Sequence, residues 1–304
     1  MRVAILSART GWHTDELCRA FADRGHTAGV LAYEGLVAQL GPPGTAGALT
    51  TGGEEILEAA AVLARIIPNG SLEQIIYRVN ALHWIEQRGV PVMNSPRAIE
   101  RCVDKFYTTA LLHESGLPVP RTVVCEGIDA AMTAMRAMRQ VVVKPIFGSM
   151  GHGLVRLADP DVAFRVFRSL EQIRSVFYLQ EAIDHDGRDI RAFVVGGRVL
   201  AAIERRSPPG EWRTNVSRGG TARAFDLPGS WAQLACRAAE VVGADYAGVD
   251  LLPSQDGRVF VLEVNGIPGW EGLQRATGVD VAGTIVDCLL ARLGDSGGIR
   301  EGPA

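Results

Sequence analysis

Residues 246–266, YAGVDLLPSQDGRVFVLEVNG, decide how this chain is read. Two apolar runs flank Asp256-Gly257, a pair that favours a tight turn, so the stretch predicts two antiparallel strands. Along a strand, side chains at i and i+2 share a face, which puts Glu263 and Asn265 on one side. The partner strand can bring Asp250 beside them. Three oxygen donors on one face suit Mg²⁺, a hard cation that keeps waters and completes its shell with substrate phosphates. An ordinary sheet with polar residues turned to solvent would show the same letters. Against it stands the setting: VDLL and VLEVNG embed carboxylates in hydrophobic strands, where an unpaired charge is costly.

Just upstream, Glu204 to Arg223 holds five arginines (Arg205, Arg206, Arg213, Arg218, Arg223) against two acids, a local charge of +3. A guanidinium fork pairs bidentately with carboxylate or phosphate. A merely solvated loop leaves unexplained why arginine is used throughout and lysine never. Trp212 in its middle either anchors the loop or meets a ligand. Further back, Lys144 ends the run VVVK ahead of Gly148-Ser149-Met150-Gly151-His152-Gly153. Backbone amides of such a turn can approach phosphate oxygens, and a lysine on the preceding strand can neutralise them. No Gly-Lys-Ser/Thr follows, so this is not a Walker A loop. A hairpin that folds over ATP phosphates fits better, with a plain flexible turn as the alternative.

The remaining sequence frames these pieces. At 304 residues the chain is long enough for roughly two domains, and at 47% hydrophobic it can bury sizeable cores. Its net charge of −3 argues against a dedicated nucleic-acid binder. No apolar run approaches the ~20 residues of a membrane span, and MRVAILSART lacks the h-region of a signal peptide. Five widely spaced cysteines without a CxxC suggest a reduced, cytoplasmic protein. The six histidines form no HxxxH pair and there is no GxSxG, so zinc and side-chain nucleophiles are poorly supported.

Element by element, RVAIL, DELCRAFADRG and AGVLAY read as strand, helix and strand, with Leu17, Ala20 and Phe21 on the buried helical face. Residues 41–53, rich in Gly, Pro and Thr, predict an exposed loop. Ser71 and Gln74 have capping-box spacing before a helix whose Leu72, Ile75, Ile76, Val79 and Leu82 recur at helical intervals. VPVMN closes a first domain, and one helix is expected from about Ile99 to Ser115. QVVVKPI and GLVRLA flank the glycine loop, FYLQEAI is a further strand, and a hairpin turns at Gly196-Gly197. A second capping box, Ser230 to Gln233, precedes a helix to Gly243, and a last helix runs from about Val281 to Leu293.

In this order, Asp104-Lys105, VVVKP, GSMGHG, YLQEAI, GRDIRAFVVG, AAIERR, EWRTNVSRGG, GVDLL and EVNGIPGWEGLQRATGVDVA resemble the ATP-grasp superfamily. Within it they look most like the RimK-type α-L-glutamate ligases, and the tract Pro68 to Asn80 looks like the tetrahydromethanopterin:α-L-glutamate ligase-like branch. The resemblance spans residues 62 to 292 and is dense from 99 onward. It implies an α/β (α+β) protein with the ATP-grasp fold: a pre-ATP-grasp domain over 1–98, a central subdomain with the glycine-rich hairpin over 99–183, a C-terminal subdomain with the metal site over 184–293, and a tail over 294–304.

The same resemblance implies roles. Lys105 and Lys144 would contact ATP phosphates, under the loop Gly148, Ser149, Met150 and Gly151. Glu181 and Ala182 would form the hinge that reads adenine, Asp189 would lie near the ribose, and Arg213, Thr214 and Asn215 would cover the nucleotide. Asp250, Glu263 and Asn265 would hold Mg²⁺, for which Mn²⁺ can substitute, and Arg205 would join Lys144 in catalysis by steadying the transferred phosphoryl group. Arg65, Asn69 and Arg78 are the acceptor candidates beside Arg9-Thr10-Gly11-Trp12-His13, with Arg65 and Arg78 equally readable as structural and Arg78 as a surface charge on its helix. Arg191, on the face of Asp189, is a carboxylate partner.

The activity implied is ATP-dependent carboxylate–amine ligation through an acyl phosphate, adding L-glutamate to a small carboxylate acceptor such as a one-carbon coenzyme. A ribosomal-protein C-terminus or an α-aminoadipate-type amino acid is the runner-up acceptor. Self-association is common in the family, and neither nucleic acid nor membrane is an expected partner. A nucleotide-binding regulatory protein without turnover is the competing class; the joint presence of Lys144, Arg205, Asp250, Glu263 and Asn265 favours the enzyme.

Overall fold

A computed structural model describes residues 1–148, 153–208, 211 and 220–297. Four parallel strands form the first sheet, in the order β2 (Thr27–Ala32), β1 (Arg2–Ser7), β6 (Ala61–Ala64), β7 (Val92–Met93). Its strands are apolar on both faces because both are covered. Val3 and Ile5 pack with Leu17 and Phe21 of α1 (Trp12–Ala22). Ala4 and Leu6 pack with Leu82 and Ile85 of α2 (Leu72–Gln87). The capping box at Ser71 forms as expected: its hydroxyl accepts from the Gln74 N–H at 3.3 Å, and the Gln74 side chain accepts from the Ser71 N–H at 3.0 Å. The apolar series behind it is only partly a core face, since Leu72 is 75% exposed while Arg78 is buried.

Residues 41–53 depart from expectation. They contain β4 (Ala48–Thr51), which pairs with β3 (Val37–Gln39) and β5 (Glu54–Glu55) in a small antiparallel sheet. The single helix expected over 99–115 is two, α3 (Pro96–Val103) and α4 (Lys105–Glu114). Asp104 explains the break: its extended backbone ends α3, and its carboxylate accepts from the Tyr107 N–H at 3.0 Å to cap α4. Ser230 lies inside its helix, which starts after Pro228, so no second capping box forms there.

The second sheet is antiparallel, in the order β10 (Val155–Leu157), β9 (Val141–Lys144), β11 (Phe177–Glu181), β8 (Thr122–Cys125). Val141, Val143, Phe177 and Leu179 bury one face under α5 (Ile128–Met138) and α6 (Pro160–Gln172). Alternation therefore turns Lys144, Tyr178 and Gln180 to the other face.

A third sheet runs β14 (Thr221–Ala224), β13 (Arg198–Arg206), β12 (Arg188–Val195), β15 (Tyr246–Pro253), β16 (Val259–Asn265), all antiparallel. Ile190, Ala192, Val249, Leu251 and Val264 face α7 (Gly229–Val242). Phe193 and Ile203, on the opposite face, join Val3, Ile5 and Trp270, so this sheet also packs on the first one. The last described elements are α8 (Glu271–Thr277) and α9 (Val281–Gly297). Among the described residues, no helix is long and apolar enough to cross a membrane.

Candidate active site

Register builds the site. On the face of the third sheet away from α7, Asp189 stands opposite Arg205, Arg191 opposite Asp250, and Asp250 opposite Glu263. Directly opposed residues share a face, and Asn265 follows Glu263 at i+2. Strand pairing alone thus lays three acids, two arginines and an amide in one row. A bulge at Asp250/Leu251 shifts the ladder so that Leu262 has no partner and Glu263 lines up with Asp250.

The charges in the row are paired. Arg191 donates through Nε and Nη2 to the two carboxylate oxygens of Asp250 at 2.7 and 2.8 Å. Arg205 donates bidentately to Asp189 at 2.7 and 2.6 Å, and its Nη2 also lies 3.0 Å from Asp250. Burial opposes ionisation of Asp250, but Arg191 and Arg205 outweigh it and hold the carboxyl at about 2. The Arg205 guanidinium is likewise driven further above its ordinary range: burial acts against its charge and the two aspartates overcome it.

Two lysines face this row from other elements. Lys105, at the start of α4, reaches the Gly148 carbonyl at 2.6 Å and stands 3.9 Å from Glu263. Lys144 donates to Gln180 at 2.6 Å, two positions along the strand from Tyr178 opposite it. Protein packed around the Lys144 ammonium pushes it down to about 8, Glu263 pulling it up and Lys105 pushing further down. Near the expected hinge, a cavity of about 550 Å³ lies between α4, β8 and Phe260, with Glu181 in its wall. Another of about 240 Å³ is lined by residues 181–184 and the 254–258 turn.

Several expected site residues stand differently from the sequence reading. The N–H groups of Glu181 and Ala182 are already used, by the Arg121 and Gln140 carbonyls, so a base at this hinge would meet other atoms. Asp189 is committed to Arg205 rather than open to a ribose. Arg65 is 2% exposed and donates to the Tyr246 hydroxyl and the Pro268 carbonyl, with its guanidinium 4.6 Å from the Trp270 ring centre. Arg78 is buried rather than a surface charge, and it holds the Pro68 and Asn69 carbonyls. Asn69 itself is exposed. Ser149, Met150, Gly151, Arg213, Thr214 and Asn215 lie outside the described residues.

Sequence reading missed Gln180, Gly248 and His13's role. A side chain at 248 would crowd Pro268 at 3.1 Å and meet the Arg191 Nε only at ordinary contact distance, 3.6 Å, so the glycine makes room chiefly for Pro268. His13 accepts from the Trp270 N–H at 3.1 Å; burial and Arg65 lower it to about 4, so it stays neutral. The GVD and FYLQ motifs carry Gly248 and Gln180, but their cross-strand partners are not local in sequence.

Among the described residues, no three His, Cys, Asp or Glu side chains converge as a metal site. A divalent cation here would rest on Asp250, Glu263 and the Asn265 amide, with phosphate oxygens and water completing the shell. That donor set fits: all oxygen, Asp250 already ionised, and Glu263 opposite it on the adjacent strand.

Residues 102–289 match the RimK-like ATP-grasp domain, and residues 1–99 match the RimK PreATP-grasp domain. The tetrahydromethanopterin:α-L-glutamate ligase of Methanosarcina acetivorans is 34% identical over 256 residues, 75% of this chain and 79% of that protein. A probable α-L-glutamate ligase of Trichodesmium erythraeum is 34% identical over 302 residues, 97% of each chain. In fold, a RimK domain ATP-grasp protein from Sphaerobacter thermophilus superposes with a TM-score of 0.74 at 24% identity, covering 95% of this chain and 99% of that one. With both domain matches in place and a row of acids facing two lysines, the chain belongs to the RimK-like ATP-grasp ligases, within the α-L-glutamate ligase family.

Proposed function

We propose that the protein joins L-glutamate to a small carboxylate acceptor of the tetrahydromethanopterin type, using ATP and Mg²⁺. The observation that carries this reading is the Lys105 ammonium of α4 standing 3.9 Å from Glu263 of the third sheet, with Lys144 of the second sheet near enough for Glu263 and Asp250 to act on its charge. The acceptor class rests on the similarity to the Methanosarcina acetivorans ligase.

The chemistry follows from the charges. An acceptor carboxylate oxygen displaces ADP from the γ-phosphorus, forming an acyl phosphate. The glutamate amine then attacks the acyl carbon, loses a proton, and expels inorganic phosphate to leave an amide. No side-chain nucleophile is required. Lys105 and Lys144 oppose phosphate charge, and Arg205, pinned by Asp189, presents a fixed cation to the charge that develops on transfer. A bound Mg²⁺ would supply Lewis acidity on the phosphates between Asp250, Glu263 and Asn265.

The test is ADP release with L-glutamate and a panel of carboxylate acceptors, followed by the mass of the product. A glutamyl increment on a reduced pterin coenzyme is the expected result. An increment on a peptide or protein C-terminus would overturn the acceptor assignment, and ADP release with no acceptor in the panel would overturn both.

A further inference from the structure

Asp250 is surrounded by two guanidinium groups that are held very differently. A carboxylate offers about four lone-pair directions. In Asp250, two of these take the Arg191 fork and a third takes Arg205. Arg205 is fixed from the other side by both oxygens of Asp189, at 2.7 and 2.6 Å. Among the described residues Arg191 has no such second anchor: there its hydrogen bonds and ion pair go to Asp250. Its side chain keeps 19% exposure.

From this asymmetry we infer that Arg191 is a stand-in counter-ion, exchanged for the divalent cation when metal and nucleotide load, and thereby freed to take the anionic substrate. The inference rests on the ligase reading above. A divalent cation on Asp250 beside two guanidinium groups would face two like charges within one carboxylate's width, and repulsion at that range is strong in a buried setting. One cation must leave, and of the two guanidinium groups Arg191 can do so without abandoning a second partner among the described residues, whereas Arg205 is tied to Asp189. The departing fork presents two parallel N–H donors, the geometry that a carboxylate or acyl phosphate accepts. Loading the nucleotide would then itself complete the substrate site, so that the acceptor carboxylate is captured only when ATP is there to activate it.

Mn²⁺ binding in the presence of a non-hydrolysable ATP analogue, followed by electron paramagnetic resonance, tests the exchange without turnover. Removing the competitor in Arg191→Met should tighten Mn²⁺ about tenfold, and Arg191→Lys, which keeps charge but loses the fork, should fall between it and wild type. KM for the carboxylate acceptor should rise in both variants. Unchanged or weaker Mn²⁺ binding in both would mark Arg191 as simple support for Asp250 and overturn the exchange. Should Arg191→Met fail to fold, a crystal structure of wild type with Mn²⁺ and the analogue decides the matter: Arg191 off Asp250 supports the exchange, and an intact fork at both oxygens overturns it. No metal–nucleotide binding by wild type would instead sink the ligase reading, and the exchange with it.

Discussion

Glu204 and Arg205 are neighbours on β13 and point to opposite faces of one sheet, and the clusters around them differ in charge and burial. Around Arg205, two aspartates and two arginines balance one another, with side-chain exposures of 5% for Arg205 and 8% for Asp250. Around Glu204, one wholly buried carboxylate meets three arginines: Arg188, Arg206 and Arg223, at 3.2, 2.6 and 2.8 Å. Those arginines are open to water, 28%, 43% and 68% exposed. Burial raises the Glu204 carboxyl, but the Arg206 and Arg188 hydrogen bonds bring it below its ordinary range. The first cluster is closed, so losing one member strands another in low dielectric. The second can resolvate, so the same loss should cost far less.

Asp250→Ala breaks the closed cluster most severely. It leaves Arg191 without its carboxylate beside Arg205, which keeps only Asp189, and a broken buried pair costs about 3–5 kcal/mol. Chemical denaturation should register that loss, and ADP release should vanish with it. Acid sharpens the point. The Asp250 carboxyl is depressed in the folded state to about 2, so its contribution is complete above the unfolded carboxyl value of about 4 and is lost as pH falls toward 2. An Asp250→Asn variant should therefore lose less stability than wild type across that window.

Glu263→Gln separates chemistry from folding. Its side chain is 29% exposed and its ion pair to Lys105 is long, 3.9 Å. Stability should stay within about 1 kcal/mol of wild type. ADP release should drop about 100-fold or more, the scale for removing one group aimed at developing charge. Turnover near the wild-type rate would remove Glu263 from the metal set.

Much of this row was legible in the letters. Period-two alternation put Glu263 with Asn265, and Asp256-Gly257 marked the turn that folds Asp250 toward them. Pairing partners were not legible, because register between distant strands is set by tertiary packing. Hence the letters point Arg191 toward a substrate carboxylate rather than toward Asp250, and give no sign of the tie between Gln180 and Lys144. Summed by charge alone, the five-arginine stretch looks like one basic patch. Alternation along Glu204-Arg205-Arg206 already implied that it splits between two faces. Asp104 hid inside a continuous apolar helix pattern, since the same residue that ends α3 caps α4.

Lys144 gives a smaller effect with a definite sign. Its ammonium is depressed to about 8, and phosphate oxygens would raise it again on binding. Free protein loses the charge as pH rises through 8, so nucleotide affinity should fall above that pH, by at most about tenfold per unit. Near pH 8 to 9 binding should take up a proton, visible by calorimetry in buffers of different ionisation enthalpy. Lys144→Met should abolish the uptake.

The open cluster supplies the weakest perturbation and the sharpest contrast. Arg223 sits on β14, directly opposite Glu204, with two-thirds of its side chain in water. In Arg223→Ala, Arg188 and Arg206 still satisfy the Glu204 carboxylate, so no buried charge is stranded. With the arginine this open to water and the carboxylate still held by two others, its loss should cost below about 1 kcal/mol and is screened by salt. The variant should unfold within that margin of wild type, converge on it at high salt, and release ADP at a rate within about threefold. A loss comparable to that of Asp250→Ala would mean that the two faces of the sheet are energetically one network, because only coupling through β13 could carry the effect from Glu204 to Arg205.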